Sequence, residues 1–197
     1  MTPVALPATL VLIRHGETDW NVERRLQGQQ DIPLNENGRE QARRNGRALS
    51  GLAGVGAFDF VASPLGRAVE TMRIMRAELG LDPDSFRTDA GLIEITFGDW
   101  EGFTLAELAV DEAESVRRRQ ADKWGYVPPR GESYEMLARR TRDWLTGVTR
   151  DTVAVSHGAV ARVVQGLLFG LPDMEVPQLP SPQDKVLVYR DGKGEWL

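Results

Sequence analysis

The 197-residue chain has no cysteine. That excludes disulfides, thiolate nucleophiles and cysteine-ligated metals, and it fits a reducing compartment. Histidine is nearly as scarce, with two in the whole chain. A zinc site needs three or four ligands, so these two could serve one only with carboxylates added, and an arginine stands beside the first. No apolar run approaches the ~20 residues of a membrane span. The N-terminal stretch lacks a basic segment and is interrupted by Pro3 and Pro7, so it does not read as a signal peptide. A cytoplasmic protein without membrane contact is expected. The chain also lacks a Gly-x-Ser-x-Gly elbow and a Gly-x-x-x-x-Gly-Lys-Ser/Thr loop. Gly51, Gly54 and Gly56 do not form a dinucleotide fingerprint, and they fit a helix exit instead.

What is present is ordinary in bulk. Hydrophobic residues make up 41% and charged residues 27%, which suits a soluble globular chain forming one domain. The formal net charge of −5 argues against nucleic acid or an anionic membrane as the main partner, and leaves room for a local basic pocket.

The informative feature is the setting of the two histidines. Leu10-Val11-Leu12-Ile13 reads as a buried strand and stops at Arg14-His15-Gly16. Thr152-Val153-Ala154-Val155 is a second such strand and runs into Ser156-His157-Gly158. One histidine at a strand end is most often a hydrogen-bonded structural residue. Two in the same context point to a site, because ligands of open α/β sheets bind at the C-terminal ends of strands. Phe58–Ala62 is a third strand, ending at Ser63-Pro64 with Arg67 in the first turn of the following helix.

Strand and helix patterns alternate through the rest of the chain. Asn35 is placed to cap a helix from about Glu36 to Leu49, and another helix runs from about Leu65 to Leu79. Phe86 to Thr88 is a short strand, and residues 104–125 read as one or two helical pieces. Glu132-Ser133 opens a long amphipathic helix, a further helix follows His157, and Val186–Tyr189 is a last strand before a turn at Asp191–Gly194. The alternation predicts a three-layer α/β/α fold with a mainly parallel central sheet. Residues 1–197 form a single domain in this reading, with residues 92–132 as a small cap-like insertion over the strand ends.

Two histidines, two arginines and a carboxylate suit phosphoryl transfer without a metal or other cofactor. Arginine binds phosphoryl oxygens in a planar, often bidentate way, and the loop after the first strand can add N–H donors. A neutral imidazole attacks phosphorus, and a carboxylic acid protonates the leaving alkoxide. Glu94 sits among apolar neighbours; buried, it would have a raised pKa and act as a donor. Its spacing fits a surface glutamate equally well. Arg117-Arg118-Arg119 reads first as a solvated face, and second as a rim meeting a distal anionic group.

Five segments, taken in order, resemble the histidine phosphatase superfamily, the phosphoglycerate mutase-like proteins. They are Arg14-His15-Gly16-Glu17-Thr18 with Trp20-Asn21 and the following Gln27-Gly28; Ser63-Pro64-Leu65-Gly66-Arg67-Ala68; Glu94 with Phe97-Gly98 and Trp100-Glu101-Gly102; Pro128-Pro129 with Gly131-Glu132-Ser133; and Ser156-His157-Gly158. The resemblance implies a phosphoglycerate mutase-like fold. It implies that His15 is the phosphorylated nucleophile and Glu94 the proton donor. Arg14, Arg67 and His157 would hold the phosphoryl group, with Gly16, Asn21, Gln27 and Gly28 in the same pocket. The substrate would be a small phosphorylated metabolite, with no nucleic acid partner. Homodimers are common among such proteins. Family mutases tend to carry Glu-Arg-His-Tyr at the acid and Asn after the last His-Gly. This chain has Glu94-Ile95-Thr96-Phe97 and Ala159, which favours a metal-independent phosphomonoester hydrolase, similar to the broad-specificity, α-ribazole phosphate or fructose-2,6-bisphosphatase-like branches. The alternatives are a cofactor-dependent phosphoglycerate mutase and a non-catalytic phospho-ligand-binding module.

Overall fold

Strands that carry apolar side chains on both faces need helices on either side. The computed structural model, which describes residues 1–197, places such strands at the centre of a six-stranded sheet. The strands are β1 (Leu10–Arg14), β2 (Asp59–Ala62), β3 (Arg87–Thr88), β4 (Thr152–Ser156), β5 (Val186–Arg190) and β6 (Lys193–Trp196). Their order is β3-β2-β4-β1-β5-β6. The four strands from β3 to β1 are parallel, β5 runs antiparallel to β1, and β6 antiparallel to β5.

Seven helices surround the sheet: α1 (Asp19–Val22), α2 (Glu36–Leu49), α3 (Gly66–Glu78), α4 (Leu105–Asp111), α5 (Ala113–Ala121), α6 (Tyr134–Thr146) and α7 (Gly158–Phe169). The two-residue period of each strand splits the core. Val11, Ile13, Phe60, Ala62, Val153 and Val155 face α2 and α3, packing on Ala42, Leu49, Ala68, Met72 and Met75. Leu10, Leu12, Val61 and Ala154 face α6 and α7, packing on Leu137, Leu145, Val160, Val163, Val164 and Leu167. The predicted three layers are there. No helix is long and apolar enough to cross a membrane.

Local signals fix most helix ends. The Asn35 side chain accepts from Gly38 N and the Ser133 hydroxyl from Met136 N, caps that contribute about 1 kcal/mol each. Gly170 ends α7 in the left-handed region at φ +63°. The loop expected after the first strand, up to Asn21, instead turns at Asp19 into the one-turn α1, held by a reciprocal cap between Thr18 and Asn21. The expected turn at Asp191–Gly194 is shorter than predicted. Asp191 and Gly192 alone make it, both with positive φ, and Lys193 already begins β6. Residues 104–125 form two helices broken at Glu112. Together with the preceding turn they enclose a small apolar cluster of Trp100, Leu108 and Val116, and Trp100 Nε1 donates to Glu112 at 3.0 Å.

Candidate active site

β1, β2 and β4 end side by side. His15 N donates to Ser156 O at 2.8 Å, and Ser63 N to Val155 O at 2.9 Å. From β1 and β2 the chain passes to α2 and α3 on one face; from β4 it passes to α7 on the other. The crevice between these departures is where an open α/β sheet offers a ligand site.

A cavity of about 190 Å³ opens there. Its wall includes Arg14, His15, Asn21, Gln27, Gly28, Arg67 and Glu94, all singled out in the sequence. Gly16 and His157 lie outside the wall. Gly16 has turned its N–H to Thr71 Oγ1 at 3.1 Å, and it packs so closely on the Gly38 carbonyl that a Cβ would clash with it. Its role is in the turn and in holding His15. His157 is fully buried, with its ring centroid 5.1 Å from that of His15.

His15 Nδ1 lies 2.7 Å from Gly16 O. A carbonyl oxygen only accepts, so Nδ1 carries the proton and Nε2 keeps a free lone pair. Burial, then the charges of Arg67 and Arg14, hold the His15 imidazole well below the usual histidine value. It is therefore neutral at physiological pH. His157 is depressed in the same way, by burial first and by its neighbours His15, Arg67 and Arg14. Its Nε2 is 2.7 Å from Ser63 Oγ.

The two predicted arginines are held by main-chain oxygens. Arg14 Nη1 donates to Ser181 O at 2.8 Å. Arg67 donates from Nη1 to Gln30 O at 2.5 Å and from Nη2 to Gly28 O at 2.7 Å. Burial lowers both guanidinium values, that of Arg14 to about 10, which leaves both charged at neutral pH. Asn21 Oδ1 accepts from Gln183 Nε2 at 3.0 Å, and the same amide donates to His15 O at 3.1 Å. Half-buried Glu94 accepts at Oε1 from Ile95 N (2.9 Å) and at Oε2 from Ala159 N (3.3 Å), in the first turn of α7.

Arg14 Nε, Gln27 Oε1, Arg67 Nε and His157 Nδ1 are buried without hydrogen-bond partners. Each such atom costs about 1–3 kcal/mol. Thr141 Oγ1 and Ser181 Oγ, off the cavity wall, are likewise unpartnered, but four such atoms gathered at one place mark a polar binding site rather than a packed core.

Arg119, offered by the sequence as a rim residue in second place, and three residues given no site role complete the wall. Arg119, Lys123, Tyr134 and Arg162 border the cavity as well, Arg162 with its guanidinium close to that of Arg14. Of the run Arg117–Arg119, Arg117 pairs with Glu114 and is exposed, Arg118 is exposed with its guanidinium 5.9 Å from the Tyr126 ring, and Arg119 alone turns inward, 9% exposed. The solvated-face reading thus holds for two of the three. Gly158 and Arg162 are four residues apart on α7, so helical spacing was the available signal for Arg162, while Lys123 lies in the turn after α5 and carries no such signal. Arg130, by contrast, is exposed and pairs with Asp99. No group of three or more His, Asp or Glu side chains is placed to hold a metal.

The family model described as "Histidine phosphatase superfamily (branch 1)" matches residues 10–197. Bifunctional protein Rv2228c of Mycobacterium tuberculosis is 36% identical over 159 residues, 80% of this chain; the chain spans only 41% of that longer protein. Probable phosphoglycerate mutase GpmB of Enterobacter sp. is 34% identical over 172 residues, covering 82% of this chain and 74% of the relative. Among solved structures, mycobacterial glucosyl-3-phosphoglycerate phosphatase Rv2419c with VO3 superposes with a TM-score of 0.79 at 29% identity, covering 96% of each chain.

Proposed function

The chain belongs to the histidine phosphatase superfamily (branch 1), and on that premise we propose that it hydrolyses small phosphomonoesters, without a metal, through a phosphohistidine at His15. The observation that carries this reading is the state of His15: neutral, with Nδ1–H fixed on Gly16 O and Nε2 free at the cavity wall. In the first step His15 Nε2 forms a bond to phosphorus, the P–O bond to the leaving group breaks, and Glu94 gives its proton to the departing alkoxide. The Gly16 carbonyl stabilises the imidazole as it becomes cationic. In the second step Glu94, now a carboxylate, takes a proton from water; the water oxygen bonds to phosphorus and the P–N bond breaks. Arg14 and Arg67 meet the charge on the transferring group in a site of low dielectric. With the Ser63 hydroxyl donating to His157 Nε2, the unpartnered His157 Nδ1 bears a proton and is a further donor to a phosphoryl oxygen.

The rest of the wall narrows the substrate. Six cationic side chains border the cavity, Arg14, Arg25, Arg67, Arg119, Lys123 and Arg162, against one carboxylate, Glu94. Arg25 is neutralised by Glu23 and Glu107. Arg119, Lys123 and Arg162 have no carboxylate partner within 4.0 Å, and burial, with Arg119 and Arg162 nearby, lowers the Lys123 amine to about 8. Like charges crowd only where an anion offsets them. The preferred substrate on this reading carries a second anionic group, a carboxylate or another phosphate, a few bonds from the ester. Residues 92–132 act as the cap that selects it.

Phosphate release from phosphorylated metabolites with and without a second anion, in chelator and with His15→Ala as control, tests the proposal. Release that needs a divalent metal, or that persists in His15→Ala, overturns it. A phosphoglycerate mutase is the second reading, favoured by the GpmB likeness and by the same cation cluster. Interconversion of phosphoglycerates after priming with a bisphosphate, in place of release, would establish it.

A further inference from the structure

Trp100-Glu101-Gly102 stands out in the sequence yet takes no part in the steps above. Glu101 is half-buried, and no arginine or lysine lies within 4.0 Å of its carboxylate. Four N–H and O–H groups donate to it instead. Oε1 accepts from Gln29 N at 3.0 Å, Thr96 Oγ1 at 2.8 Å and Phe97 N at 3.0 Å, and Oε2 from Gln30 Nε2 at 3.2 Å. Bonds to an ionised acceptor are among the stronger ones in proteins. These come from two segments far apart in sequence: the loop at residues 27–30, and the stretch just after Glu94.

Each segment holds one partner of the proposed chemistry. Arg67 is oriented by Gly28 O and Gln30 O, the carbonyls on either side of Gln29. Glu94 is held at its own carbonyl by Gln29 Nε2 at 2.9 Å and by Arg140 Nη2 at 3.0 Å. The loop follows Glu101 closely: Gly28 has φ +51°, and a Cβ there would collide with the Glu101 carboxylate. One carboxylate thus joins the loop that aims Arg67 to the strand-like stretch that carries Glu94.

We infer that Glu101 is a positioning residue that fixes the phosphate-holding guanidinium of Arg67 and the proton-donating carboxyl of Glu94 at a set separation. It touches no reacting atom itself. The inference rests on the roles given to Arg67 and Glu94 above. Its importance follows from geometry, since a shift of about 1 Å between catalytic groups can slow a reaction by about 10²-fold.

The test compares Glu101→Ala and Glu101→Gln with Glu94→Gln, all corrected for folded fraction by circular dichroism. Two quantities are read for each: kcat for an alkyl phosphate against nitrophenyl phosphate, and the affinity for inorganic phosphate. Glu101→Ala is expected to slow the alkyl ester by about 10–100-fold and the nitrophenyl ester several-fold less, because proton donation matters most for the poorer leaving group. It should also weaken phosphate binding about tenfold through Arg67, a loss of the size of one charge-assisted bond. Glu101→Gln, which keeps an acceptor oxygen, should recover part of both. In a Glu94→Gln background, Glu101→Ala should no longer change the leaving-group ratio. Equal slowing of both esters with unchanged phosphate affinity overturns the inference and leaves Glu101 a fold residue. A Glu94→Gln variant with no leaving-group dependence instead removes Glu94 from the donor role; phosphate affinity in Glu101→Ala then decides the inference through Arg67 alone.

Discussion

The two ends of the cavity are both cationic and are built differently. At the inner end Arg67 is buried and Arg14 half-buried beside strand ends, and both guanidinium groups are tied to main-chain carbonyls. At the outer end Arg119 comes from α5 and makes no hydrogen bond to the protein, and Lys123 holds a single carbonyl, Pro177 O; Arg162 of α7, close to Arg14, likewise holds one, Leu179 O. Arg67, held by two carbonyls, is over-determined, as a group must be to meet charge in a transition state without reorganising, whereas Arg14 holds one. The outer cations are placed but not fully committed. In the proposed function the strand ends carry the chemistry, and the segment above them carries selectivity.

That division makes its sharpest claim at His15. His15→Ala should reduce kcat by at least ~10³-fold and abolish acid-labile phosphoenzyme, whatever the substrate. Rapid-quench labelling with radioactive phosphate checks it, and labelled protein in the variant would move the nucleophile elsewhere. Next comes the contrast between the ends. Arg67→Ala should lower kcat for all phosphomonoesters by ~10²–10³-fold. Arg119→Ala should raise KM by ~10-fold or more, and only for substrates with a second anion. Parallel effects of the two substitutions on nitrophenyl phosphate would erase the distinction.

A smaller effect concerns pH. The Lys123 amine, lowered to about 8, is charged below that value and neutral above it. Its contact with a second anion is therefore present at pH 7 and lost as pH rises through about 8. In kcat/KM profiles, which report the free enzyme, a substrate with a second anion should lose up to about tenfold above pH 8 relative to nitrophenyl phosphate. Lys123→Arg should flatten that difference; a profile unchanged by the substitution assigns the titration to another group. Smallest of all, and far from both ends, Asn35→Ala should lower stability by about 1 kcal/mol in a thermal melt and leave kinetics unchanged.

The legibility of these regions differs for a physical reason. His15 and His157 were readable because a buried strand ending at a histidine and a glycine is a local pattern. The caps at Asn35 and Ser133 were readable for the same reason, since a cap acts within four residues. Which residue of the Arg117–Arg119 run faces the cavity was not legible, because the choice between solvent and cavity depends on how α5 is rotated against Phe97, over whose ring the Arg119 guanidinium lies at 5.7 Å. Gly16 was assigned to the pocket, yet its N–H went to Thr71, 55 positions away. The strand β6 was missed because Lys193–Trp196 is exposed and polar, and only pairing with β5 makes it a strand.

By itself the sequence determined the alternation of strands and helices, the two buried strands that end in histidines, and the order of the family motifs, all properties set by neighbours along the chain. The tertiary structure decided which way each polar group faces. It gave His15 a proton on Nδ1 by setting it against Gly16 O, buried Arg67 against the loop carbonyls of Gly28 and Gln30, and gathered Arg119, Lys123 and Arg162 from separate elements into one wall. Such choices depend on burial and, for Arg67 and the gathered cations, on segments distant in sequence, and neither exists until the layers have packed.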